Sequence, residues 1–140
     1  MSLFRLLRAV IVLPLALHAQ TNRIVNGDFA DGTHAPWHWH HEKEARATGG
    51  IDAKGGIGGS PALRVQVTAA QNANHVQLGC PFAAAEIETG QVYEVRFQIR
   101  AVPARACSVH ILGARKPWTN AGLRQKVQAT PEWREQVFRF

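Results

Sequence analysis

Gly90-Gln-Val-Tyr-Glu-Val-Arg-Phe-Gln-Ile-Arg-Ala101 is the stretch that decides the fold class. Tyr93, Val95, Phe97 and Ile99 alternate with Glu94, Arg96, Gln98 and Arg100, the period-two pattern of a strand with one buried and one wet face. The apolar set is aromatic and β-branched, so it needs a second sheet to pack on. The polar set puts two guanidiniums, a carboxamide and a carboxylate in one row, a chemistry suited to polyhydroxylated ligands.

The same alternation recurs on both sides. Ala62 to Val67 and His75 to Cys80 read as strands upstream; Cys107 to Leu112, Leu123 to Ala129 and Trp133 to Phe140 read as strands downstream. Ile24-Val25 ahead of the Asn26-Gly27 turn, Pro36 to His40 and Ala45 to Thr48 are shorter strand signals. Ile51 to Pro61, with Gly55-Gly56 and Gly58-Gly59, reads as an exposed loop. Ala70 to Asn74 is a polar turn, and Ala83 to Glu88 reads as an extended lead into Thr89-Gly90, with a helical turn as the other reading. About eight short strands separated by turns, with no long amphipathic helix, predict an all-β antiparallel sandwich.

At 140 residues there is room for one domain with a modest core. The first nineteen form an export signal: Arg5 and Arg8 are basic, Ala9 to Leu17 is a short apolar run, and Leu17-His18-Ala19 ends in the small residue that signal peptidase requires. Cleavage after Ala19 leaves residues 20–140 as the domain, exported to an extracellular or periplasmic space. The apolar run is shorter than the roughly 20 residues of a membrane span and contains Pro14, so no stable membrane span is expected. The formal charge of +6 includes Arg5 and Arg8, and the remaining excess is spread along the sequence, which argues against a nucleic-acid partner. An oxidising compartment permits a disulfide between Cys80 and Cys107; the other reading is two buried thiols acting as small hydrophobes. Phe140 stops in mid-pattern, which suggests a fragment lacking its closing strand.

The order of several short motifs resembles a known family. Asn26-Gly27-Asp28-Phe29, Trp37, Pro61-Ala62-Leu63-Arg64-Val65, the Gly90 to Phe97 strand, Pro117-Trp118 and Thr130-Pro131-Glu132-Trp133 resemble carbohydrate-binding modules of the family four, nine and twenty-two group. That resemblance implies a galactose-binding-domain-like jelly roll with a groove for a glucan or xylan chain, usually attached to a glycoside hydrolase. It also implies a structural calcium near the Asn-Gly-Asp-Phe turn. The strand that would complete such a site has no counterpart after Phe140, so the ion is not carried over to Asp28, and no other cofactor is expected.

A sugar groove needs flat aromatic platforms and planar polar groups that pair with hydroxyls. Gln77, Arg96, Gln98 and Arg100 are the polar candidates, with His75 and His110 beside them. Trp118 ranks first as a platform because it sits in a polar, proline-bounded loop; Trp39 ranks second. Trp37 and Trp133 match family positions that close the sandwich. His34, His38, His40 and His41 with Glu42 invite a metal reading, but nothing supplies the remaining ligands, and they read as exposed histidines at a groove edge.

Catalysis has little support. A glycosidase places two carboxylates about 5 to 10 Å apart across a cleft, whereas Glu42, Glu44, Glu86, Glu88, Glu94, Glu132 and Glu135 fall mostly in turns or at strand ends. The expected function is therefore non-catalytic binding of a polysaccharide or oligosaccharide, with a linked catalytic domain as the expected partner. An adhesion or protein-interaction sandwich is the alternative. The position of the tryptophans relative to the core separates the two.

Overall fold

The computed structural model describes residues 22–42, 44–72, 75–81 and 87–140. The export signal, its cleavage site, residues 73–74 of the polar turn and residues 83–86 of the lead into the central strand lie outside that set.

Among the described residues there are eight strands: β1 (His38–His41), β2 (Arg46–Asp52), β3 (Ala62–Ala69), β4 (Val76–Gly79), β5 (Glu94–Ile99), β6 (Arg105–Leu112), β7 (Asn120–Ala129) and β8 (Arg134–Arg139). The only helical element among them is a single 3-10 turn, Ile57–Gly59. All pairings are antiparallel and they nest: β2 pairs with β3 inside β1 with β4, and β6 pairs with β7 inside β5 with β8. Each pair forms a two-stranded sheet of its own, and this all-antiparallel arrangement is compatible with a β-sandwich.

The central strand behaves as its alternation requires. Val95 lies opposite Phe138 and Phe97 opposite Gln136 on one face, and Arg96 opposite Val137 and Gln98 opposite Glu135 on the other. Tyr93 and Phe140 extend the ladder beyond its formal ends through a reciprocal pair of backbone hydrogen bonds of 3.0 and 3.1 Å. Their rings stack at 5.7 Å between centroids. Phe97 and Phe138 continue that aromatic row at 6.2 Å.

The buried core sits mainly on the inner hairpin of the second half. Ile111 on β6 and Leu123, Val127 and Ala129 on β7 are buried, with Ala45 ahead of β2 the one buried apolar residue elsewhere among those described. Cys107 and Val109 extend the row half-buried. The register of β6 and β7 shifts between His110 and Leu112. Near that shift Gly122 has φ +115°, and a Cβ there would come within 2.9 Å of the Phe140 ring. Glycine is needed twice over, for the positive φ and for the ring, and this is where the inner hairpin meets the end of β8.

Several local expectations are corrected. Ile24-Val25 forms turns and bends instead of a strand, because Asn26 at φ +50° turns the chain back. The Asn26 amide donates to the carbonyls of Thr33 and Ala35 at 2.9 and 2.8 Å, and the Trp37 indole donates to those of Val25 and Asn26 at 3.2 and 3.1 Å. Strand β2 continues through Gly49-Gly50-Ile51-Asp52 despite its glycines, since Gly49 admits the Trp39 ring edge, which lies 3.4 Å from where a Cβ would be. Strand β7 begins at Asn120, three residues earlier than the alternation from Leu123 indicates.

Candidate functional site

The polar row of β5 is the first place to look, and its charges are already spent. Glu94 accepts from Arg96 at 3.0 Å and from Arg139 at 3.0 Å, and Arg96 also spans to Glu135 at 3.3 Å. The chain Arg139–Glu94–Arg96–Glu135 alternates sign along the outer face of the β5–β8 ladder. The two guanidiniums hold the Glu94 carboxyl below the usual carboxylate range, chiefly through the Arg96 and Arg139 hydrogen bonds. The carboxylates in turn hold Arg96 charged, raising its already high pKa. Gln98 stands exposed at the end of this network, opposite Glu135. Arg100 leaves the row altogether and covers the Trp133 ring at 5.1 Å, a cation–π contact at the corner that the sequence assigns to Trp133.

The other expected residues are divided among separate surfaces. Trp39 is half-buried, packed against the His34 ring at 4.9 Å. Gln77 is exposed beside His40 on β1 and β4. Because Trp39 pairs with Leu78 in the same ladder, its side chain lies on the opposite face from Gln77. His75 is a clear correction. It is only 5 % exposed, with Nε2 2.7 Å from the Asn72 amide and Nδ1 buried without a partner. A ring in that position packs the turn before β4 and presents nothing to a ligand. The alternation identifies its face correctly, but a strand pattern carries no information about what the flanking turn folds over.

Cys80 and Cys107 are free, half-buried thiols, Cys80 just after β4 and Cys107 on β6. Burial pushes both thiols up, as expected of small hydrophobes. Among the described residues no three His, Cys, Asp or Glu side chains converge as a set that could hold a metal ion. His40 lies 3.9 Å from Glu42, His34 meets the Trp37 carbonyl at 2.9 Å, and Asp28 accepts from the Ala30 amide at 3.3 Å. No helix among the described residues is long and apolar enough to cross a membrane.

What remains is the outer face of the β6–β7 hairpin. His110 lies opposite Arg124, Ser108 opposite Lys126 and Ala106 opposite Gln128, all exposed. The hairpin loop then carries Arg115, Lys116 and Trp118. Trp118 is 51 % exposed and has φ +57°, a conformation uncommon for a bulky side chain. Its amide donates to the Arg115 carbonyl at 2.9 Å, and the loop is closed by Gly113 donating to Thr119 at 2.8 Å. A half-exposed indole thus stands in the loop that joins two strands whose outer faces carry hydroxyl, imidazole, guanidinium, ammonium and carboxamide groups. Arg124, Lys126 and Gln128 are absent from the residues singled out by sequence. The signal was available in the alternation of Arg124-Gln125-Lys126-Val127-Gln128, whose polar members share a face with His110 once the hairpin pairs.

A concavity of about 490 Å³ lies apart from this face, along the outer face of the β2–β3 hairpin, and is lined by Thr48, Gly50, Asp52, Arg64 and Gln66 among others. Gly50 opens its floor, since nothing lies within 4 Å of where its Cβ would be.

No protein-family profile, curated protein or solved structure matches the chain.

Proposed function

We propose that this chain is an exported, non-catalytic module that binds a polysaccharide, of the xylan or β-glucan class, and acts as an appendage of a glycoside hydrolase. The observation that carries the reading is Trp118, half-exposed in the loop that joins β6 to β7. A core tryptophan would leave sugar rings without a platform; this one is half-exposed in the loop between the strands that carry His110 and Arg124. Stacking on an indole supplies most of the energy in such sites, and the planar polar groups fix orientation. An attached enzyme would gain rate through the raised effective concentration of its substrate.

The test is affinity electrophoresis of residues 20–140, as wild type and Trp118→Ala, through gels containing xylan, mixed-linkage β-glucan, mannan or no polymer. Retardation by one polymer that disappears in the variant supports the proposal. Unchanged mobility in every polysaccharide gel, with the protein folded by circular dichroism, overturns it and favours a sandwich that meets a protein.

A further inference from the structure

The two ladders of the second half treat charge in opposite ways. On β5–β8 each guanidinium of the outer face meets a carboxylate, as described above. On the β6–β7 hairpin none does. From Val95 to Pro131 the sequence contains no Asp or Glu, and the hairpin and its loop carry Arg105, Arg115, Lys116, Arg124 and Lys126. All five are exposed, and none is in an ion pair among the described residues. The even spread of charge along the sequence therefore becomes a concentration in space, because pairing β6 with β7 stacks cations from both strands and the loop onto one element.

Arg124 and Lys126 are two positions apart on one strand, so they share a face at about 7 Å. Like charges at that spacing, without an intervening carboxylate, repel one another and raise the free energy of the unliganded face. An anion laid across them removes that repulsion and gains charge-assisted hydrogen bonds, bidentate in the case of Arg124. His110 and Ser108 lie directly across the ladder from them and can donate to the same oxygens.

We infer that the β6–β7 face binds an anionic polysaccharide, one bearing carboxylates along its chain, with Arg124 and Lys126 meeting the carboxylates and Trp118 stacking on a sugar face. The inference rests on the polysaccharide reading above and narrows its ligand class. Single-stranded nucleic acid is the competing polyanion, and it fits less well. Such binders stack successive bases on several aromatic platforms, whereas Trp118 is the only tryptophan among the exposed large hydrophobics.

The experiment measures retardation of residues 20–140 in gels containing polygalacturonate, alginate, unsubstituted xylan, β-glucan, dextran sulfate or single-stranded DNA, at about 20 mM and about 500 mM NaCl. Three variants accompany the wild type: Trp118→Ala, the double variant Arg124→Gln/Lys126→Gln, and Lys54→Gln/Arg134→Gln, which removes the same charge from outside the β6–β7 hairpin. The expected result is retention by a polyuronate that weakens at high salt. The Arg124/Lys126 variant should lower affinity by about tenfold per lost cation, Trp118→Ala should lower it too, and the Lys54/Arg134 variant should leave it nearly unchanged.

Retention by a neutral polymer alone, insensitive to salt, overturns this inference while leaving the polysaccharide reading intact. No retention in any polysaccharide gel removes both. Equal losses in the two double variants, or dextran sulfate binding that ignores Trp118, shows attraction to net charge alone and overturns the assigned site. Retention by DNA without retention by a polyuronate assigns the face to nucleic acid. Thermal melts of each variant establish that a lost interaction is not lost folding.

Discussion

The Arg96 guanidinium lies 3.0 Å from the Glu94 carboxylate two residues before it, so two side chains of one strand neutralise each other on its outer face. The sequence displays Arg96 as an available donor; the fold turns it into the middle of an ion-pair chain. Its role is then to hold β5 to β8, since Arg96 reaches Glu135 and Glu94 reaches Arg139 across the ladder.

Glu94 is the centre of that chain, and its titration gives a signed prediction. Its pKa is lowered in the folded protein. Its contribution is therefore present above the carboxylate's unfolded pKa and lost as pH falls through the lower folded value. Thermal melts of wild type and Glu94→Gln should differ at neutral pH, with the wild type higher. The difference should shrink once the pH drops below the ordinary carboxylate range of about 4. A gap that persists unchanged into strong acid would mean the residue acts by packing. Because these groups are solvated, raising the salt concentration should also narrow the gap.

Asn26 does two things at once, and two substitutions separate them. It holds φ +50° and donates to Thr33 and Ala35 across the loop. Asn26→Ala loses both functions and should cost about 1 to 3 kcal/mol. Asn26→Gly keeps the left-handed backbone and loses only the bonds, so it should retain part of that stability. Urea unfolding midpoints of the two variants check the order.

The legible part of the fold was the part written in alternation. Val95, Phe97 and Phe138 point inward, and Arg96 and Gln98 outward, as their spacing requires. The all-β class and the positions of β3 to β6 follow from that pattern. What the alternation could not show was pairing. Glu94 beside Arg96 is visible in the alternation, but Glu135 and Arg139, which complete the ion-pair chain, lie thirty-nine and forty-five positions from their partners, and the burial of His75 depends on a turn. The gathering of cations on β6–β7 likewise follows from which strand pairs with which. The exposure of Trp118 is legible for a different reason: a tryptophan between Pro117 and Thr119 in a polar loop has no strand to fold it inward.

His75 offers a substitution that should improve the protein. With the Asn72 amide donating to Nε2, the ring proton falls on Nδ1, which is buried and unpartnered. A buried polar atom in that state costs about 1 to 3 kcal/mol. Leucine has similar bulk and no such atom, and Asn72, being exposed, can turn to water. His75→Leu should raise the unfolding free energy by about 1 kcal/mol, read by denaturant titration. A loss of stability would show that a water or a second partner satisfies Nδ1.

Leu123 is the largest fully buried side chain among the described residues, at 1 % exposure, beside the register shift that Gly122 permits. The surrounding core is small, so little can collapse into a hole there. Leu123→Ala should cost about 3 kcal/mol, and Leu123→Met under about 1.5 kcal/mol. Chemical denaturation at a single temperature distinguishes them, and equal losses would mean that shape at this position matters more than volume.

The two tryptophans that differ most in setting should separate binding from stability. Trp133 is half-buried beneath the Arg100 guanidinium, at the turn into β8, and removing it strips the corner and uncovers Arg100. Trp133→Ala should lower the melting temperature by several degrees, as expected for a loss of about 2 kcal/mol or more. Trp118 has half its surface in water and no ring partner among the described residues, so Trp118→Ala should move the melting temperature far less while abolishing retardation in polysaccharide gels. Measuring both properties on both variants gives a crossed pattern if the indole at the loop is a platform and the one at the corner a support. A Trp118 variant that melts as early as the Trp133 variant would instead place the loop indole in the fold's own packing, and its binding defect would then carry no weight as evidence for a site.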